Sequence, residues 1–196
     1  MKKYFMLILS AMMIFVLSAC GNSDAAEGSK TAPKADKKLV VYFSCTGNTK
    51  HLAETTANVL NADLFEINAA TPYTPEDLNW HDKSSRTTIE QNDPNVRPAI
   101  ANKIDNFDQY GTVVIAYPIW WGQEPRIIDT FVESYDFSNK KIVAICTSGG
   151  SELGSSVDAL KALTSSSAKW LNGKRFNSFD SADVIKSWLT DIQLIK

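Results

Sequence analysis

Histidine, cysteine and clustered basic charge are scarce in this chain of 196 residues, and each scarcity removes a class of function. Only two histidines exist to act as a general base, and no G-x-S-x-G elbow is present, which argues against a serine-type hydrolase. No Lys/Arg block occurs, so nucleic acid is not an expected partner. The densest glycine stretch, Gly149-Gly150-Ser151-Glu152-Leu153-Gly154, does not match the G-x-G-x-x-G dinucleotide fingerprint. Nor does a Walker lysine follow Gly47, so a nucleoside triphosphate with its metal is a poor fit there.

What is present begins with an export signal. Lys2 and Lys3 precede a nearly continuous apolar run from Tyr4 to Ala19, too short for a membrane span and ending in small residues. Leu17-Ser18-Ala19-Cys20 resembles the bacterial lipobox, which implies removal of residues 1–19 and lipidation of Cys20. An ordinary signal peptide with a chance cysteine is the plainer alternative. Stable anchoring takes more than one acyl chain, and lipobox cysteines carry two or three. The expected location is therefore the outer side of the cell membrane. Residues 21–38 are rich in Gly, Ser, Ala, Asp, Lys and Thr and have no apolar period, as a flexible tether does. Such a tether spans roughly 23 Å. Without the signal, 18 basic residues face 22 acidic ones, a net of −4. That charge is mildly repelled by anionic lipid and suits a tethered body more than a surface-bound one.

Residues 39–196 are long enough for one domain with a real core. Leu39 to Phe43 is an apolar, β-branched and aromatic run, followed by a helical pattern from Lys50 to Leu60. Leu64 to Ile67 reads as a short strand. Within 68–109, Thr74-Pro75-Glu76-Asp77 resembles a helix start with proline at its first position, and Ile100, Ile104 and Phe107 recur at helical spacing. Thr112 to Ala116 and Lys141 to Cys146 are continuous apolar runs typical of buried parallel strands. Pro125 to Glu133, Val157 to Leu163 and Asp183 to Ile192 read as helices, and Ala168 to Leu171 as a short fifth strand. The alternation predicts an α/β fold, a doubly wound five-stranded parallel sheet with both faces covered. Cys45 and Cys146 would then lie about two strand spacings apart, roughly 9.6 Å, beyond disulfide reach, so two free thiols are expected.

The chemistry concentrates where strands end, the edge at which open α/β sheets bind ligands. Ser44-Cys45-Thr46-Gly47-Asn48-Thr49 joins the first strand directly to the first helix. Backbone N–H groups and the positive end of the helix dipole converge there, three hydroxyls add donors, and Gly47 permits close approach. This suits a single phosphate monoester, although hydroxyl residues before a helix also serve as plain caps. Pro118-Ile119-Trp120-Trp121-Gly122 and Thr147-Ser148-Gly149-Gly150 follow the third and fourth strands. Either tryptophan offers a face for a flat ring, with core packing as the other role open to each. Cys45 fills a variable position and is not expected to be catalytic. His51 and His81 read as solvated residues. Tyr73 and Trp80 are candidates either to cover a ligand or to pack on the surface.

In these residues the chain resembles the flavodoxin family. Residues 44–49 match its [ST]-x-T-G-x-T phosphate loop, and the segments at 117–122 and 147–150 stand where that family places two flavin-ring loops. The short fifth strand resembles the short-chain form. The resemblance implies a flavodoxin-like sheet of order 2-1-3-4-5 and noncovalent FMN with its phosphate at Ser44–Thr49. It also implies backbone groups near Trp121-Gly122 and Ser148-Gly150 against the ring edge. The implied function is electron transfer with redox partner proteins or membrane electron donors. An NAD(P)H-dependent FMN oxidoreductase of the quinone reductase type and a non-redox flavin-binding module are the alternatives.

Overall fold

The computed structural model describes residues 37–196. The expected signal peptide, the lipidated Cys20 and all but the end of the tether lie outside the described residues. Five parallel strands form the frame: β1 (Lys37–Tyr42), β2 (Asp63–Glu66), β3 (Tyr110–Pro118), β4 (Lys141–Thr147) and a fifth strand in two pieces, β5 (Lys169–Trp170) and β6 (Lys174–Phe176). Their order is β2-β1-β3-β4-β5, with β6 also on β4. The register runs through Leu64, Val40, Val114 and Val143 in successive strands. β1 starts two residues earlier than expected, because Lys37 and Lys38 pair with β3. Between β5 and β6 the edge gains a residue: Ile142 pairs Trp170, yet Ile145 pairs Lys174. That bulge turns the expected single short strand into two.

Helices α1 (Asn48–Leu60), α2 (Arg86–Asn92), α3 (Arg126–Glu133), α4 (Ser156–Leu163) and α5 (Ala182–Asp191) complete the chain. Strand residues alternate between two cores. Val40, Tyr42, Val114, Ala116, Val143 and Ile145 pack with α1 and α5. Leu39, Val41, Val113, Ile115, Ile142 and Ala144 pack with α3 and α4 on the other face. The strands read as unbroken apolar runs because both faces are buried.

The 68–109 segment departs most from the expected helices. Thr74 begins only a turn, closed by Thr74 N–H to Asp77 Oδ2 (2.9 Å) and Asp77 N–H to Thr74 Oγ1 (3.2 Å). The helix stops there because Asn79 and Asp82 turn their side chains onto nearby backbone N–H groups. Ile100 is extended, in an antiparallel bridge with Ala69. Ile104 and Phe107 still face the core, but Asn106 at φ +55° breaks the run before a short 3₁₀ turn at Phe107–Gln109. No helix among the described residues is long and apolar enough to cross a membrane.

Candidate functional site

At the C-terminal edge of β1, Gly47 sits at φ +85° and starts α1, two residues earlier than the periodicity suggested. Helices α2 and α5 are capped by the hydroxyls of Ser85 and Ser181, whereas α1, like α3 and α4, has no side-chain cap. Its N-terminal N–H groups are therefore open to an external anion. Ser44 Oγ instead accepts from Gly47 N–H at 3.1 Å, which tightens the loop. Asn48 Nδ2 donates to Thr46 Oγ1 at 3.3 Å, leaving the exposed Thr46 hydroxyl proton to donate outward. Buried Thr49 bonds Thr147 at 2.8 Å and ties the first turn of α1 to the end of β4.

After β3 the chain makes a tight turn. Trp120 and Gln123 exchange both backbone hydrogen bonds, at 2.9 and 3.0 Å, while Trp121 (φ +49°) and Gly122 (φ +76°) occupy the corner. Two positive φ angles define a type I′ turn. A bulky residue in that region is strained, and such strain gathers at functional sites. The structure separates the two tryptophans. Trp120 packs edge-to-face with Phe43 and Tyr73, ring centroids 5.7 Å from each. Trp121 is 44% exposed beside the ligand cavity.

After β4, Ser148 Oγ accepts from Gly150 N–H (3.2 Å) and Ser151 N–H (2.8 Å), and Arg175 holds the Ser148 carbonyl at 3.2 Å. Ser155 N–H reaches Gly122 O at 3.2 Å, so the two loops are joined.

Together the three loops enclose a cavity of about 630 Å³. Of the residues expected from sequence, Ser44, Cys45, Thr46, Thr49, Pro118, Ile119, Trp120, Trp121, Ser148, Gly149 and Gly150 line it. Gly47, Asn48, Gly122 and Thr147 are not among its lining residues. Leu78, Trp80, Thr87 and Ser151 also line the cavity. Trp80 was legible as a candidate. Leu78 and Thr87 carried no signal, because no periodicity marks their segment.

No charged side chain lines this cavity. Burial pushes the Cys45 thiol up to about 12, opposed in part by the Arg86 charge, so it stays protonated and unreactive. Cys146 is pushed up to about 12 by burial as well, and both are free thiols. Among the described residues, no group of His, Cys, Asp or Glu is placed to hold a metal. His51 and His81 are exposed, as expected.

A second feature lies behind the turn. Glu124 is fully buried, and neither of its carboxyl oxygens receives a hydrogen bond from a protein donor; the same holds for Asp129 Oδ1. Arg126 reaches Glu124 at 3.7 Å and Asp129 at 3.4 Å, and Arg97 approaches Asp129 at 3.7 Å. Burial pushes Asp129 above its ordinary value, and the Arg126 and Arg97 guanidiniums oppose that rise only in part. Burial, reinforced by the Asp129 carboxylate, pushes Glu124 up to about 8. The pattern is that of a buried carboxyl pair that keeps a proton above the ordinary carboxylate range. Gln91 Nε2 donates to the carbonyls of Trp120 and Glu124, both at 3.1 Å, linking the pair to the turn.

A neutral cavity with an anion-binding loop at a helix start, and aromatic and glycine loops opposite, suits a ligand with one phosphate tail and a flat head. Comparisons with known proteins give the family. The model of the Flavodoxin family matches residues 37–192, and the chain belongs to that family as a flavodoxin-like flavoprotein. A candidate flavoprotein from Bacteroides eggerthii is 42% identical, with a TM-score of 0.76, and the match covers 82% of this chain and 99% of that one. A second, from Bacteroides uniformis, is 38% identical with a TM-score of 0.75, covering 79% and 97%. A Lactobacillus acidophilus flavoprotein in complex with FMN shares the fold at 19% identity and a TM-score of 0.57, covering 72% and 93%. No curated protein sequence matches the chain.

Proposed function

We propose that the protein binds FMN noncovalently and carries electrons, tethered to the outer face of the cell membrane through a lipid on Cys20. The observation that supports this best is one cavity joining the uncapped start of α1 to the loops after β3 and β4. The relative in complex with FMN supports the choice of flavin. Support for the anchor comes from the sequence of residues 1–20 alone. FMN would supply the electron chemistry. The chain's own part is to hold the phosphate with neutral donors, to place a flat ring beside Trp121, and to exclude water from the ring edge with the loop at 148–151.

The purified protein is expected to bind one FMN and quench its fluorescence; no uptake would overturn the reading. Reduction in single-electron steps supports a carrier, while direct two-electron reduction by NADPH points to the oxidoreductase alternative.

The Thr46→Val variant tests the phosphate loop. Removing one donor to a charged group costs roughly 1.5–3 kcal/mol. FMN affinity should therefore fall about tenfold to a hundredfold, read by fluorescence titration. Unchanged affinity would show that backbone N–H groups alone hold the phosphate.

A further inference from the structure

The turn at 75–82 and α2 contribute three side chains to the cavity: Leu78, Trp80 and Thr87. Trp80 is 66% exposed, one of the most exposed large apolar side chains among the described residues. A single exposed tryptophan is unremarkable by itself. This one stands on a scaffold whose bonds fix it at the ligand cavity. Thr87 donates its hydroxyl to Asp77 O at 2.6 Å and its N–H to the same carbonyl at 3.2 Å, clamping the turn to α2. With that proton committed, Thr87 offers the cavity its methyl group and no donor. At the other end of α2, Gln91 bonds the Trp120 and Glu124 carbonyls, so the scaffold is fastened to the turn after β3. His81 lies against the Trp80 indole with ring centroids 3.5 Å apart, holding it outside the core.

We infer that the 75–92 segment is a wall of the flavin site, and that Trp80 covers the bound isoalloxazine against solvent. This rests on the FMN reading above. The wall is apolar and faces the polar loops at 44–49 and 148–151, so the slot has the amphipathic character of a flat ring with a phosphate tail. The cover also narrows what can reach the ring: small solutes must pass Trp80 before touching it.

The test compares the wild-type protein with Trp80→Ala and Trp80→Phe. An aromatic contact of this kind corresponds to roughly fivefold to tenfold in affinity. Trp80→Ala should weaken FMN binding by that factor, raise residual flavin fluorescence, and make it more readily quenched by iodide. Trp80→Phe should restore most of each. The unfolding midpoint of the FMN-free protein should stay put, since the indole is exposed. Wild-type binding with identical affinity and iodide quenching in Trp80→Ala overturns the cover and leaves the FMN reading standing. A wild-type protein that takes up no FMN overturns both.

Discussion

Replacing Gly154 with alanine is expected to unfold the ligand cavity's rim and abolish tight FMN binding. A Cβ at this position would lie 2.0 Å from Gly122 O, and the backbone is at φ +58°. The obstacle is a carbonyl, so no rotamer change relieves it. Overpacking typically costs 1–3 kcal/mol, and a left-handed non-glycine residue adds about 1–2 kcal/mol. The expected loss is about 2–5 kcal/mol. Strain relief would push away the turn that presents Trp121 and break the Ser155 N–H to Gly122 O bond. Gly149→Ala is the matched control, since nothing lies within 4 Å of its added Cβ and its φ is not positive. Denaturant unfolding compares the two variants, and FMN titration reads Gly154→Ala alone, since Gly149 itself lines the cavity. Equal behaviour of the two would show that the contact between the loops is dispensable.

The second large effect is on pH dependence. Glu124 is raised from an ordinary value near 4.5 to about 8, first by burial and then by its Asp129 neighbour. A carboxyl that keeps its proton longer when folded favours the unfolded state as pH rises. The site costs nothing below about 4.5, costs progressively more between about 4.5 and 8, and costs a constant amount above that. Glu124→Gln retains an N–H donor toward Asp129 and removes the titration. Arg126, Arg97 and Asp129, the charged groups facing the site, remain unchanged. The variant should gain on the wild type by a few kcal/mol across that window. For a protein of this size that is a midpoint difference on the order of 5–10 °C, seen at pH 8.5 and absent at pH 4.5. Parallel profiles at all pH values would place the retained proton elsewhere.

The sheet and the loop that joins β1 to α1 could be read from the sequence because each rests on a local rule. Apolar runs mark strands buried on both faces, and Ser44–Thr49 is contiguous, with its ligand contacts largely set by backbone direction. The division between Trp120 and Trp121 was not readable, since it depends on which one the type I′ turn forces outward. Helix α2 escapes notice in the sequence, and the turn at 75–82 reads as a helix start, for a different reason. Their order comes from Ser, Thr, Asp and Asn side chains bonding the backbone, and such bonds leave no apolar period. Asp129 was hidden inside a helix read only for Ile127, Ile128, Phe131 and Val132, and Glu124 stands just before that helix. Arg126 and Asp129 on the same helix are just as buried. Charged residues at a helix start ordinarily suggest a solvated face, and burial becomes affordable here only because α2 and Arg97 close over them.

The bulge that splits the fifth strand has a consequence for crowding. A sheet edge is a template on which a second chain can add a strand. One edge of this sheet is the four-residue β2, with Asp63 and Glu66 at its ends. The other is broken into pieces of two and three residues carrying Lys169, Lys174 and Arg175. Neither edge offers a long, flat, neutral ladder, and each repels its own kind. Pairing between like edges of two copies is therefore disfavoured by both length and charge.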